Sequence, residues 1–237
     1  MHLRNCFVTL TYADCHLARG GTLVKGHLSD FVRRVRETFR PELVRFYGIG
    51  EYGTKTQRPH YHALLFGADF PRGAVVAKGE HGCAVYASTA LQSHWKYGLV
   101  SIGDLTPESA AYCARYALKK QGAMVHKRLS SWTDPDTGEV IYRTPEFALM
   151  SRRPGIGKTW LTAYKSDVFP DDFIIIKERK TRVPRYYVKQ LSETEAASVK
   201  ERRKEFAMSS PDNSPGRLDA RKAVLQAKLL FKLTKRG

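Results

Sequence analysis

The sequence predicts an α+β fold, a central antiparallel sheet flanked by helices, and three observations carry that prediction. A β-rich alternating run lies near the N-terminus. Two apolar runs separated by a short polar segment follow it, and two further stretches combine helix start and stop signals with helical spacing of apolar residues. At 237 residues the chain can bury one substantial core with room for an appendage. We expect a main domain over residues 1–190 and a basic helical extension over 191–237, with a linker at 209–216.

Taken in order, Phe7 to Tyr12 sets Phe7, Thr9 and Thr11 on one face of a strand and Val8, Leu10 and Tyr12 on the other. Ser29 is placed to cap a helix whose Phe31, Val35 and Phe39 recur every four residues, with Arg33, Arg34 and Arg36 outside and Pro41 as its stop. Leu43 to Tyr52 and Pro59 to Phe66 flank the polar segment Gly53 to Arg58, a connection suited to a hairpin. Phe70 to Gly98, punctuated by Gly and Pro, gives only a short helix over Leu91 to Tyr97, and a strand is expected over Leu99 to Ile102. Thr106 as N-cap, Pro107 at the first helical position and Glu108 in the first turn open a helix running through Lys120 to a stop at Gly122. Residues 139–150 are partly β-like, and Phe173 to Ile176 and Arg185 to Val188 are further strand candidates. From Ser192 a charged helix, a Pro/Ser/Asn/Asp linker and a basic helix complete the chain.

A formal net charge of +17 points to a polyanionic partner, nucleic acid before an anionic membrane. From Lys177 onward 17 basic residues face 7 acidic ones, so the last quarter is the more basic part. Cys6, Cys15, Cys83 and Cys113 form no CxxC pair, which fits free thiols in a reduced, intracellular setting. Met1 to Cys15 lacks a continuous apolar core and no stretch approaches ~18 apolar residues, so neither a signal peptide nor a membrane span is expected.

The chemistry concentrates in two places. Within the strand Pro59 to Phe66, alternation points His60 and His62 to one face, about 6.5–7 Å apart along the chain. Pairing Tyr52 with Pro59 sets Glu51 opposite His60, and two imidazoles with one carboxylate suit Mg²⁺ or Mn²⁺ with open positions that polarise a phosphate. In the helix after Thr106, Tyr112 and Tyr116 share a face, with Lys119 on it and Lys120 beside it. A tyrosine hydroxyl with an ordinary pKa of about 10 needs a metal, a base or nearby cations before it attacks a phosphodiester.

Phe7-Val-Thr-Leu-Thr11, His60-Tyr-His62 and Tyr112-x-x-x-Tyr116 with Lys119-Lys120 resemble motifs I, II and III of the HUH endonucleases, in the order of replication initiators. More narrowly, Gly48 to Gly53, Arg58-Pro-His-Tyr-His62, Ser151 to Gly157 and Val183 to Tyr187 resemble the replication initiators of gokushovirus-like microviruses, small phages with circular single-stranded DNA. The resemblance spans roughly residues 5–190 and makes 1–190 the catalytic domain of an HUH- and RRM-like fold. It implies rolling-circle initiation: nicking at an origin, a 5′-phosphotyrosine on Tyr112 or Tyr116, a free 3′-OH as primer, and later rejoining. By position it implies His60 and His62 as metal ligands, Glu51 as the third, and Lys119 or Lys120 as the phosphate-neutralising cation. Arg58, Arg152, Arg153, Lys158 and Arg185 are expected on the DNA. No helicase motif is visible, so host helicase and polymerase are expected partners, in the host cytoplasm.

Pro154-Gly-Ile-Gly-Lys-Thr159 imitates a phosphate loop but has Arg152 where its first Gly belongs, so no nucleotide cofactor is expected. His2, Cys6, Cys15 and His16 match no structural zinc spacing. Arg182 to Lys189 could stack on single-stranded DNA or contribute its tyrosines to a core. A non-catalytic RRM-like binder would explain the charge but not the co-occurrence of His60, His62, Tyr112 and Tyr116, and it lacks the RNP aromatics. An HUH transposase would share the chemistry and differ in its DNA.

Overall fold

The computed structural model describes residues 2–78, 83–119, 131–176 and 178–234, without the side chains of 116–119, 211 and 232–234. The chain divides into two compact units, Met1–Ile156 and Gly157–Gly237. None of the helices among the described residues is long and apolar enough to cross a membrane.

The first unit is built on a seven-stranded sheet whose mapped pairings are all antiparallel. In chain order its strands are β1 (Asn5–Thr11), β2 (Arg45–Tyr52), β3 (Pro59–Phe66), β4 (Val75–Lys78), β5 (Ala84–Tyr86) and β6 (Val100–Asp104), followed by an edge strand over Phe147–Met150. A separate small ribbon pairs β7 (Ser131–Thr133) with β8 (Val140–Tyr142), which makes the edge strand β9. The order across the sheet is β4-β5-β6-β1-β3-β2-β9, so β3 lies in the interior between β1 and β2. The α+β architecture and the β2–β3 hairpin agree with expectation, including Tyr52 opposite Pro59 and Glu51 opposite His60. The strands β4 and β5 fall in the Gly- and Pro-punctuated stretch where no strand was expected.

Alternation along β1 and β3 divides the sheet into two faces. Val8, Leu10, Tyr61, Ala63 and Leu65 form the main core with helix α1 (Lys25–Thr38), which buries Leu28, Phe31, Val32 and Val35. Those four follow the i, i+3, i+4, i+7 pattern of one helical face, each worth about 1.5–3 kcal/mol when buried. The helix begins one turn before the predicted cap: Ser29 lies inside it and its hydroxyl donates to the Lys25 carbonyl at 3.2 Å. Val24, which makes no side-chain cap bond, is the true N-cap. Helix α2 (Thr89–Gln92) is shorter than the predicted Leu91–Tyr97 element, capped by Ser88 and followed by Trp95, whose indole Nε1 donates to the Thr11 carbonyl at 2.8 Å.

On the other face, Phe7, Tyr47, Ile49, Leu64 and Phe66 meet helix α3 (Pro107–Lys119) through Ala110, Tyr112 and Cys113. The Thr106 hydroxyl accepts from the Ser109 amide at 3.2 Å and the Ser109 hydroxyl accepts from the Thr106 amide at 2.9 Å, a reciprocal cap at the predicted start. The predicted end of this helix, Lys120 to Gly122, lies outside the described residues.

Gly98 shows how tightly the β1 end is closed: a Cβ there would fall on the Thr11 carbonyl oxygen and the Ala13 amide. Backbone cannot yield as a side chain can, so Gly98→Ala is expected to lower unfolding free energy by about 1–3 kcal/mol, measured by urea denaturation. A variant as stable as the parent would mean this segment moves freely.

The second unit contains α4 (Lys158–Ala163), α5 (Lys165–Val168), the ribbon β10 (Phe173–Ile176) with β11 (Arg179–Arg182), α6 (Arg185–Val188), α7 (Glu193–Ser209) and α8 (Pro215–Thr234). The strand expected over Arg185 to Val188 is instead one helical turn following Pro184, and the partner of β10 is Arg179–Arg182. Tyr187 in that turn stacks on Trp160 with ring centroids 5.7 Å apart. Gly157, at φ +83°, caps α4, and a Cβ on it would stand 2.8 Å from the Tyr187 hydroxyl oxygen. Packing and backbone conformation therefore account for this glycine of the phosphate-loop imitation. A complete capping box of Ser192 and Glu195 starts α7. Within the expected linker, Pro211–Asn213 forms one 3₁₀ turn before α8 begins.

Candidate active site

The interior position of β3 is what assembles the site. His60 has Thr11 on one side and Glu51 on the other, and His62 has Thr9 and Ile49. All four neighbours share the α3 face, because directly paired residues point the same way. Among the described residues, Glu51, His60 and His62 are the group of three or more metal-ligating side chains that converges, with one ligand atom from each within 4.8 Å of the others.

Glu51 Oε1 accepts from His60 Nε2 at 2.8 Å and from His62 Nε2 at 3.1 Å. The second carboxylate oxygen, Oε2, is buried with no hydrogen-bond partner among the described residues. A buried, unpartnered carboxylate oxygen beside two imidazoles is a costly arrangement unless a cation completes it. The donor set of two nitrogens and a carboxylate therefore fits a divalent ion.

The far nitrogens of both rings are also held. His60 Nδ1 donates to the Arg58 carbonyl at 3.1 Å, and His62 Nδ1 lies 2.9 Å from the Thr9 hydroxyl. Both contacts aim Nε2 at the common point, the outer-shell support seen around metal-ligating histidines. Thr9 suits either state of His62, since its hydroxyl donates to a bare Nδ1 and accepts from Nδ1–H. Phe7 stacks on the His62 ring at 5.3 Å between centroids.

The electrostatics follow from this packing. Burial opposes charge on Glu51, but the hydrogen bonds from His60 and His62 outweigh it and bring its carboxyl down to about 2. Burial likewise opposes charge on His60, yet Glu51 overrides it and His60 is raised above its ordinary value. At His62, which is more deeply enclosed, burial prevails over the same carboxylate and lowers the pKa. One ionised carboxylate thus faces one imidazole that favours its proton and one that sheds it readily.

Helix α3 lies over this triad. The Tyr112 hydroxyl donates to Glu51 Oε1 over 3.4 Å, and its ring stands edge-on to His62 with centroids 5.4 Å apart. Burial pushes the neighbouring Cys113 thiol up to about 12, so it is not a competing nucleophile. Tyr116 and Lys119 stand on the backbone of the same helix, and Lys120 lies outside the described residues.

Of the arginines and lysine expected on DNA, Arg58 is engaged within the chain: its guanidinium donates to the Tyr12 carbonyl at 2.7 Å and pairs with Asp14 at 2.6 Å. Arg152 and Arg153 are exposed just past β9. Lys158 and Arg185 belong to the other unit, opening α4 and α6. Sequence reading missed the supporting roles of Thr9 and of the Arg58 carbonyl. The alternation that set Thr9 on the histidine-facing side of β1 was the available signal, and only the β1–β3 register turns it into a contact.

Fold and site together define a class: an α+β domain whose central sheet presents a histidine-carboxylate triad to a tyrosine-bearing helix, as in the HUH/Rep superfamily. Residues 5–121 match the family model described for Replication-associated protein ORF2, and they form a Rep-like domain of that type. The chain is 30% identical to Replication-associated protein ORF2 of Spiroplasma virus 4 over 198 residues, 79% of this chain and 58% of that protein. It is 32% identical to Replication-associated protein VP4 of Bdellovibrio phage phiMH2K over 195 residues, 77% of this chain and 56% of that one. A third relative, Replication-associated protein ORF4 of Chlamydia phage 1, is 32% identical over 127 residues, 50% of this chain and 31% of that protein. The chain thus spans somewhat over half the length of the first two relatives. No solved structure matches it.

Proposed function

We propose that this protein is a rolling-circle replication initiator of a small phage with circular single-stranded DNA, of the gokushovirus-like kind, and that it nicks and rejoins one strand at an origin. The observation that carries this reading is the Tyr112 hydroxyl beside the Glu51, His60 and His62 triad, 3.4 Å from the carboxylate shared by both imidazoles. His60, His62 and Glu51 would hold Mg²⁺ or Mn²⁺, which supplies Lewis-acid polarisation of a scissile phosphate when bound.

The oxygen of Tyr112 or Tyr116 forms a bond to phosphorus, and the P–O3′ bond breaks with its electron pair on the 3′ oxygen. The proton lost by tyrosine is balanced by the one gained at the new 3′-OH. Phosphoester is exchanged for phosphoester, so the energy of the bond is kept for rejoining by the reverse step. Lys119 or Lys120 neutralises phosphate charge, and Arg58, Arg152, Arg153, Lys158 and Arg185 hold the strand. In this reading residues 1–190 form the catalytic domain, 191–237 a basic extension, and host helicase and polymerase in the host cytoplasm complete replication.

The direct test is incubation of the protein with a labelled single-stranded origin oligonucleotide and Mn²⁺, followed by denaturing electrophoresis. A label that migrates covalently with protein supports the reading, and binding without any adduct would make the protein a binding module.

Thr9→Val keeps the branched shape while removing the hydroxyl at His62 Nδ1. Loss of such support typically costs 10–100-fold in metal affinity, so the Mn²⁺ concentration for half-maximal nicking is expected to rise about 10-fold or more. An unchanged titration would leave Thr9 as packing only.

A further inference from the structure

The ribbon β10–β11 takes no part in the chemistry around Tyr112. Its register pairs Phe173 with Arg182 and Ile175 with Lys180 on one face, and Ile174 with Thr181 and Ile176 with Arg179 on the other. Every residue of β11 is exposed, and so are Ile175 and Ile176, at 68% and 48%. A two-stranded ribbon is at best marginally stable by itself in water, and here β11 leaves its cations and these isoleucines open.

The charges are open as well. Elsewhere in the same unit cations find carboxylates, Lys165 with Glu195 at 2.6 Å and Arg203 with Asp172 at 2.5 Å. Arg179, Lys180 and Arg182 form no such pair among the described residues. Lys180 and Arg182 are one alternation apart on one face, about 6.8 Å along the strand, which is close to two phosphate steps of one DNA strand along a duplex axis.

We propose that this ribbon is a docking element for duplex DNA, laid in the major groove with its cations on the flanking phosphates. A two-stranded ribbon fits a groove about 12 Å wide, and branched aliphatic tips such as Ile175 and Ile176 suit thymine methyls and base edges. Single-stranded DNA is the poorer match, because it is held by stacking on open aromatic faces. The ribbon's one aromatic ring, Phe173, is covered by the Lys180 ammonium at 4.3 Å from its centroid. The proposal concerns duplex contact and does not depend on the nicking chemistry.

The test uses the whole chain, a labelled duplex of about two helical turns and either of its single strands, followed by fluorescence anisotropy across a salt series. For Arg179→Ala/Lys180→Ala/Arg182→Ala, duplex affinity is expected to fall at least ~10-fold and the logarithmic salt slope by about 2.7, with single-strand binding within about twofold of the parent. All three side chains are exposed, and an unchanged thermal melt by circular dichroism confirms folding. Wild-type protein should lose affinity similarly on a duplex whose major groove is filled by glucosylated cytosines. Adduct formation on a single-stranded oligonucleotide should be unaffected, which separates this outcome from the nicking reading. Equal loss on duplex and single strand would make the ribbon a general phosphate contact and overturn the proposal. So would unchanged duplex binding, including the case where only retention on phosphatidylglycerol vesicles is lost.

Discussion

Replacing both Tyr112 and Tyr116 by Phe is expected to abolish the covalent protein–DNA adduct, while either single replacement leaves measurable single-turnover cleavage. Phe keeps ring packing, including the edge-on contact of residue 112 with His62, and removes only the nucleophilic oxygen. The two positions are four residues apart on α3, about 6 Å along its axis and on one face, so a modest shift of the strand presents the phosphate to either hydroxyl. Repeated cutting and rejoining should suffer in both single variants, because one tyrosine must hold a 5′ end while the other attacks. Denaturing electrophoresis of the adduct and a multiple-turnover joining assay read the two effects separately. If one single variant were inactive and the other matched the parent in both assays, the alternating mechanism would fail. Adduct in the double variant would place the nucleophile elsewhere.

The parts of this site that were legible in the sequence are those fixed by local rules. The β2–β3 connection starts at Gly53 and ends before Pro59, which leaves one sensible hairpin register, and that register puts Glu51 opposite His60. Thr106, Pro107 and Glu108 mark the start of α3 by capping chemistry alone. What escaped depends on long-range pairing or on weak local signals. Thr9 reaches His62 across 53 residues of sequence, and nothing local to either announces it. The start of α1 was missed because Val24 makes no side-chain cap and Gly26 weakens the helical signal, while burial of Leu28 holds that first turn in place. Arg185 to Val188 looked like a strand because Tyr, Tyr and Val favour strands, yet Pro184 and the stacking of Tyr187 on Trp160 make it a helical turn. Tertiary contact overrode propensity there.

His60→Ala/His62→Ala is expected to eliminate metal-dependent cleavage while DNA affinity changes by no more than a few fold, since lysines and arginines supply most of the binding. The substitution has a structural side effect that must be separated from the chemical one. Both imidazoles donate to Glu51 Oε1, and without them a carboxylate only 3% exposed is left with charge and no partners apart from the long Tyr112 contact. Stranding a buried polar group costs about 1–3 kcal/mol, more for a charged one, so the double variant should unfold at lower denaturant concentration. Adding Glu51→Gln removes that charge and should recover part of the lost stability, but it cannot restore ligand nitrogens, so cleavage stays absent. Urea unfolding, anisotropy with a single-stranded oligonucleotide and Mn²⁺ titration of nicking distinguish the three effects. Recovery of cleavage together with stability would show that the histidines serve the fold, and full cleavage by the double variant would remove them from the metal site altogether.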